Sequence, residues 1–247
     1  MTKMKKIALI AVCAMLLVCV TIGATVAYLT STDKVENTFA VGKVKITLDE
    51  AQVDTEGNPV PGTDANPNPR VKANEYKLMP GHTYTKDPTV TVKSPSEESY
   101  VRLKVTFNHA ADIIALCTDP EFADEITGVE NAFPLIRMVK FVEANAAKWD
   151  GIIPDNMVET EDMLNNEKYF VKDGDTLTYY FYYKGTVAAP AADVKLPVLF
   201  DKITVPEWVT GDQLDALNSF KITAVAEAIQ ADGFADADAA WAAYAAQ

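Results

Sequence analysis

The chain has 247 residues, a formal charge of −13 and a hydrophobic share of 49 %. With 35 acidic against 22 basic residues it carries no basic footprint, which argues against a nucleic-acid binder or an electrostatic hold on anionic lipid. The apolar share is enough to bury a real core, and three cysteines are too few for a disulfide framework.

The first predicted element is an export leader. Lys3, Lys5 and Lys6 form a basic start, Ile7 to Val20 is an apolar run, and Gly23-Ala24-Thr25-Val26-Ala27 supplies the small residues of a cleavage site. Residues 1–27 therefore read as a signal peptide cut between Ala27 and Tyr28. The 21 apolar residues from Ile7 to Ala27 also suffice to span a bilayer, so a retained anchor is the alternative, and the membrane would then be met only through this uncleaved leader. Val12 and Val18 precede Cys13 and Cys19, which argues against lipoprotein processing. Cleavage removes three lysines and no acid, leaving 220 residues with a charge of −16 and Cys117 as the sole cysteine. In its apolar segment Cys117 reads as a buried small hydrophobe.

The exported part, 28–247, reads as one β-sandwich domain. Val41, Val44, Ile46 and Leu48 mark a first strand over 43–48. Residues 49–75, with Pro59, Pro61, Pro67 and Pro69, predict a solvated, mobile loop. Its Asp54, Glu56 and Asp64 lack the spacing of a calcium loop, so no metal is assigned. Thr89 to Val92 alternates, and in Tyr100 to Phe107 the apolar Val101, Leu103, Val105 and Phe107 fall on one face against Arg102, Lys104 and Thr106.

Residues 110–135 predict one or two inserted short helices, Ile136–Phe141 with Ala144–Trp149 a hairpin, and 155–175 a second insertion. The five aromatics Tyr179 to Tyr183 suit a strand covered on both faces, or covered on one and used for contact on the other. Leu196–Phe200 and Ile203–Val205 read as short strands joined by Asp201-Lys202. Phe220–Ala228 reads as the last strand, with Phe220, Ile222, Ala224 and Ala226 on one face. The alanine-rich tail favours a helix docked by Trp241 and Tyr244. Eight to ten such strands indicate an all-β, antiparallel β-sandwich with inserted short helices and a C-terminal helix.

Catalytic signatures are missing from this pattern. His82 and His109 do not form the His-Glu-x-x-His pair that ligates zinc, and there is no Gly-x-Ser-x-Gly and no phosphate-cradling loop. Glu97-Glu98 and Glu161-Asp162 read as solvated faces. No catalytic residue and no cofactor are assigned.

Several of these stretches together resemble the camelysin and TasA family of Gram-positive exported proteins. They are Ala27-Tyr28 at the cut, Thr38-Phe39-Ala40-Val41-Gly42 before the first strand, Leu78-Met79-Pro80-Gly81, Lys86-Asp87, Tyr100 to Val105, and the aromatic strand Tyr179 to Tyr183. The resemblance implies a jelly-roll-like sandwich, export through a SipW-type signal peptidase, and a secreted or cell-surface role as an extracellular matrix or biofilm fibre subunit. Its partners would be further copies of itself or other matrix proteins. The polar, proline-free segment Tyr28 to Asn37, with Tyr28, Leu29 and Val35 as apolar anchors, is the candidate donor strand that one subunit adds to the open sheet edge of the next. Two alternatives stand beside this reading: a secreted metallopeptidase, as the camelysin label implies, and a monomeric surface-binding domain.

Overall fold

The computed structural model describes residues 42–118, 132–153 and 164–246. The leader, the Ala27/Tyr28 cut, the candidate donor residues Tyr28, Leu29 and Val35, Glu161-Asp162 and most of the acidic stretch after Asp155 lie outside the described residues. Within them the chain forms thirteen strands, and every pairing is antiparallel.

The main sheet is built on β5 (Ser96–Asn108), the longest strand described. Strict alternation buries Val101, Leu103, Val105 and Phe107 and leaves Arg102, Lys104 and Thr106 half-exposed, as the period of two requires. One edge of β5 pairs with β9 (Thr176–Tyr183) and, at its start, with β10 (Val187–Ala189). The opposite edge pairs with β13 (Ile222–Gln230), Leu103 standing opposite Ala226. β7 (Trp149–Asp150) and β8 (Phe170–Asp173) extend the sheet beyond β9. A second sheet runs β11 (Val194–Lys195), β4 (Thr89–Val92), β1 (Ile46–Ala51), β2 (Arg70–Val71), and a third runs β3 (Thr83–Thr85), β12 (Phe200–Thr204), β6 (Val139–Phe141). Val90 and Val92, Leu103 and Phe107, Tyr179 and Phe181, and Phe200 and Ile203 meet in one core drawn from all three sheets. This is the expected all-β sandwich.

The short helices are α1 (Ala110–Cys117), α2 (Glu143–Ala146), α3 (Gly211–Asp215) and α4 (Ala237–Ala245), with a π-helical turn at Pro134–Met138. Two of them, α3 and α4, begin at a side chain that caps free N–H groups. Thr210 and Gln213 close a capping box on α3, and the Asp236 carboxylate accepts from Ala239 N–H at 2.9 Å on α4.

Five expectations are corrected. The first strand begins at Ile46 and continues to Ala51, and the loop after it is partly pinned. β2 pairs with β1, Val53 bridges Pro59, and Gln52 N–H reaches Pro69 O at 2.9 Å. Proline has no N–H, but its carbonyl still accepts, and the loop uses Pro69 in that role. The proposed hairpin at 136–149 does not form. Pro134 starts a helical turn, β6 pairs with β12, and β7 pairs with β9, because Val142-Glu143 lacks the positive-φ residues of a two-residue turn. Leu196–Leu199 forms no strand around Pro197, although Leu196 N–H still reaches Val90 O at 2.9 Å, whereas Asp201-Lys202 lies inside β12, held between β3 and β6 rather than turning. The last strand begins at Ile222, and Phe220 packs its ring against Phe107 at 6.4 Å.

Candidate functional site

Two strands turn an unpaired edge toward the same space. Among the described residues β13 pairs only with β5, and β1 pairs only with β4 from Ile46 to Asp49, because β2 joins it first at Glu50. Asn108 N–H donates to Lys221 O at 3.3 Å and Ala231 N–H to Glu98 O at 2.8 Å, which fixes the odd-numbered positions of β13 toward β5. Antiparallel alternation then points the peptide groups of Ile222, Ala224, Ala226 and Ala228 away from the sheet. The bond from Lys93 N–H to Lys45 O, 2.8 Å, does the same for β1 and turns Ile46 and Leu48 outward. The Leu48 carbonyl accepts from the exposed Lys72 ammonium.

Between these edges lies a groove of about 1280 Å³. Its apolar lining comes from Leu48, Tyr76, Leu78, Leu214, Phe220, Ile222, Ala224 and Ala226, and its charged members include Asp49, Glu50, Lys72 and Lys221. The apolar members are half-buried and pack on the main core. A strand paired to both edges would hold them about 9.6 Å apart. Cα atoms of β1 and β13 come within 8 Å of one another, so an added strand pairs with one edge at a time. With four outward positions in a row, β13 is the longer of the two.

The β1 wall is braced by charges. Arg70 bonds the Asp49 carboxylate, the Asp87 carboxylate at 2.8 Å and Thr89 Oγ1 at 2.7 Å, tying β2 to β1 and β4. Deeper in, Lys86 Nζ meets Glu50 Oε2 at 2.8 Å with the residues 8 % and 6 % exposed, a burial that only pairing makes tolerable. Asn74 adds Nδ2 bonds to Glu50 Oε1 at 3.0 Å and Ala51 O at 2.9 Å.

The outer face of the main sheet is closed instead. Trp241 of α4 packs 5.8 Å from Tyr182, and the Arg102 guanidinium lies over Trp241 at 4.3 Å, Tyr180 at 5.0 Å and Tyr244 at 5.2 Å. Glu227 on β13 accepts from Arg102 Nε at 2.6 Å. The aromatic strand is thus covered on both sides: Tyr179 and Phe181 face the core, and Tyr182 lies under the helix.

The remaining predicted positions are not gathered. His82 Nε2 contacts Glu56 O at 2.7 Å, and His109, in the left-handed region at φ 54°, sits 3.6 Å from Asp112. Asp54 closes its own turn, accepting from Asn58 N–H at 2.8 Å, which holds its carboxyl below the usual range. Among the described residues no three His, Cys, Asp or Glu side chains converge as metal ligands. Cys117 is fully buried, and burial pushes its thiol up to about 12. The groove and the Glu50 cluster escaped the sequence reading, since their members come from strands and a loop far apart in the chain. No protein-family model, curated protein or solved structure matches the chain.

Proposed function

We propose that the protein is an exported structural subunit, of the kind the camelysin and TasA resemblance implies, that assembles when an extended segment of one copy adds to the β13 edge of another. The observation that carries this is the apolar groove bordered by the outward peptide groups of Ile222, Ala224 and Ala226, an edge that Ala228 continues beyond it. Main-chain bonds along such an edge give affinity, and alternate side chains entering the groove give specificity. Tyr28 to Asn37 is the segment with matching chemistry. Leu29 and Val35 are six residues apart, so they share a face and span the distance from Ile222 to Ala228. Small alanines on β13 leave room for those larger side chains. Each contact joins two different surfaces, and repetition without closure yields a filament.

Protein beginning at Tyr28 is expected to form filaments by light scattering and electron microscopy, and protein beginning at Thr38 to stay folded and monomeric. Equal assembly by both excludes Tyr28 to Asn37 as the added strand, and assembly by neither excludes the fibre reading.

A further inference from the structure

The Glu50 cluster is arranged as more than a brace. One carboxylate holds a buried amine on one oxygen and a carboxamide on the other: Lys86 Nζ lies 2.8 Å from Oε2, and Asn74 Nδ2 lies 3.0 Å from Oε1. The Asn74 carbonyl Oδ1 accepts the Val53 N–H at 3.0 Å. Two of the three backbones are held by main-chain bonds, and Asn74 is held by its side chain. Glu50 sits in the β1–β2 pairing, Lys86 N–H bonds Asp201 O at 2.9 Å, and Asn74 spans Ala51 and Val53 with its own side chain. Tyr76 covers the site, its ring 5.9 Å from Nζ and its hydroxyl bonded to Thr85 O at 3.0 Å. Burial and the Glu50 charge hold the Tyr76 phenol well above its ordinary value, which fits a poorly hydrated pocket.

These are the parts of an acyl transfer: a nucleophile, a carboxylate in contact with both nucleophile and leaving group, and an N–H donor on the oxygen where charge develops. We propose that Lys86 and Asn74 are joined by an intramolecular isopeptide bond formed with Glu50 as the catalytic residue. Glu50 takes the proton of the Lys86 ammonium, and the freed Nζ lone pair, swinging on its flexible stem, attacks Asn74 Cγ. The Cγ–Oδ1 π pair moves onto oxygen, where the Val53 N–H receives the charge. As it returns, the Cγ–Nδ2 bond breaks, Glu50 delivers the proton to the departing nitrogen, and the remaining proton from Nζ goes back to the carboxylate and on to solvent or ammonia. One Cγ–Nζ amide forms, one Cγ–Nδ2 amide breaks, ammonia is released, and no oxidant or reductant is needed. The bond would close the chain from 74 to 86 beside the groove, a covalent clasp in a domain whose only described cysteine, Cys117, is unpaired.

Mass spectrometry tests this on the purified full chain, with the mass calculated from the N-terminus actually found. Loss of ammonia lowers the mass by about 17 Da. Trypsin should fail to cut after Lys86 and should release Ala73–Lys77 linked to Leu78–Lys93. Glu50→Gln and Lys86→Arg should appear at full mass, and Asn74→Asp should lose water instead, about 18 Da. Full mass for the wild-type chain with a folded circular-dichroism spectrum overturns the proposal, as does a deficit mapping to other residues. A cross-link that persists in Glu50→Gln removes Glu50 from the chemistry.

Discussion

The two sides of the main sheet are finished differently. On the outer side, Arg102 sits among Tyr180, Tyr182, Trp241 and Tyr244 with Glu227 as its ionic partner, and α4 covers the strand beneath. On the groove side, β13 and β1 present outward peptide groups over half-buried aliphatic side chains. Both regions use the same alternating strands. One is completed by the chain's own C-terminal helix, and among the described residues the other keeps an edge that natural sheets ordinarily block or cover. Sealing costs nothing further in chain ordering once α4 has docked, whereas an open edge retains unmet hydrogen-bonding capacity that a partner strand can fill.

The largest effect should come from the core common to both sides. Leu103 is 1 % exposed and packs in the main cluster, so Leu103→Asp loses a buried side chain and strands a charge. Truncation of such a leucine alone costs about 2–5 kcal/mol against a total stability of about 5–15 kcal/mol. The buried carboxylate adds to that. No cooperative thermal transition by circular dichroism is expected.

Trp241→Ala breaks the sealed side. Loss of a buried tryptophan costs about 3–5 kcal/mol where it supports a whole core. Here Trp241 belongs to a small separate cluster with Ile229 and Ala240, so the loss should be local. Hydrogen exchange should show protection vanishing over 237–245 while the amides of Leu103 and Val105 stay protected.

Cys117 sharpens the comparison by titration. Burial raises its thiol to about 12 from an ordinary value of 9.0, so the folded state keeps a proton that the unfolded state has released. Stability is therefore unaffected below pH 9 and falls between pH 9 and 12, by about 1.4 kcal/mol per unit for this one group. Tyr179, also raised by burial, adds a fall of the same sign from its ordinary value of 10.0 upward. Cys117→Ala should flatten denaturant-derived stability over that window by about one proton's slope. An unchanged slope would mean that the thiol is not shielded as the core packing requires.

How much of this was legible in the sequence follows the physics of each element. The β5 face could be read because alternation is a local signal, and the docking of α4 because Trp241 and Tyr244 share one side of a short helix. The 136–149 region misled because the strand-like side chains of Val139–Phe141 do not say which strand they pair with, while Pro134 opens a helical turn where no N–H is needed and the alanines around 144–147 favour helix. The groove had no local signature. Which edge of β13 is free depends on pairing with β5, and Glu50 meets Asn74 and Lys86 across 24 and 36 residues. A charged residue near a strand end looks solvated until the fold buries it.

The smallest effect on stability should carry the largest effect on assembly. Ala226 stands opposite Leu103 in the ladder, yet it is half-buried and faces the groove. Ala226→Asp therefore places a carboxylate where water still reaches, and should cost only about 1 kcal/mol, near the centre of the distribution for point substitutions. A strand adding to β13 would have to desolvate that charge in the apolar groove without a new partner, a penalty of several kcal/mol that main-chain bonds of about 1 kcal/mol each cannot offset over a short segment. Filament formation by protein beginning at Tyr28 should be lost in Ala226→Asp while its melting transition stays close to that of the parent. Ala191, exposed and outside the groove lining, supplies the control: Ala191→Asp should leave both melting and assembly in place. If the two substitutions suppress filaments equally, added negative charge on an already acidic surface is the cause, and the groove is not where the partner strand binds.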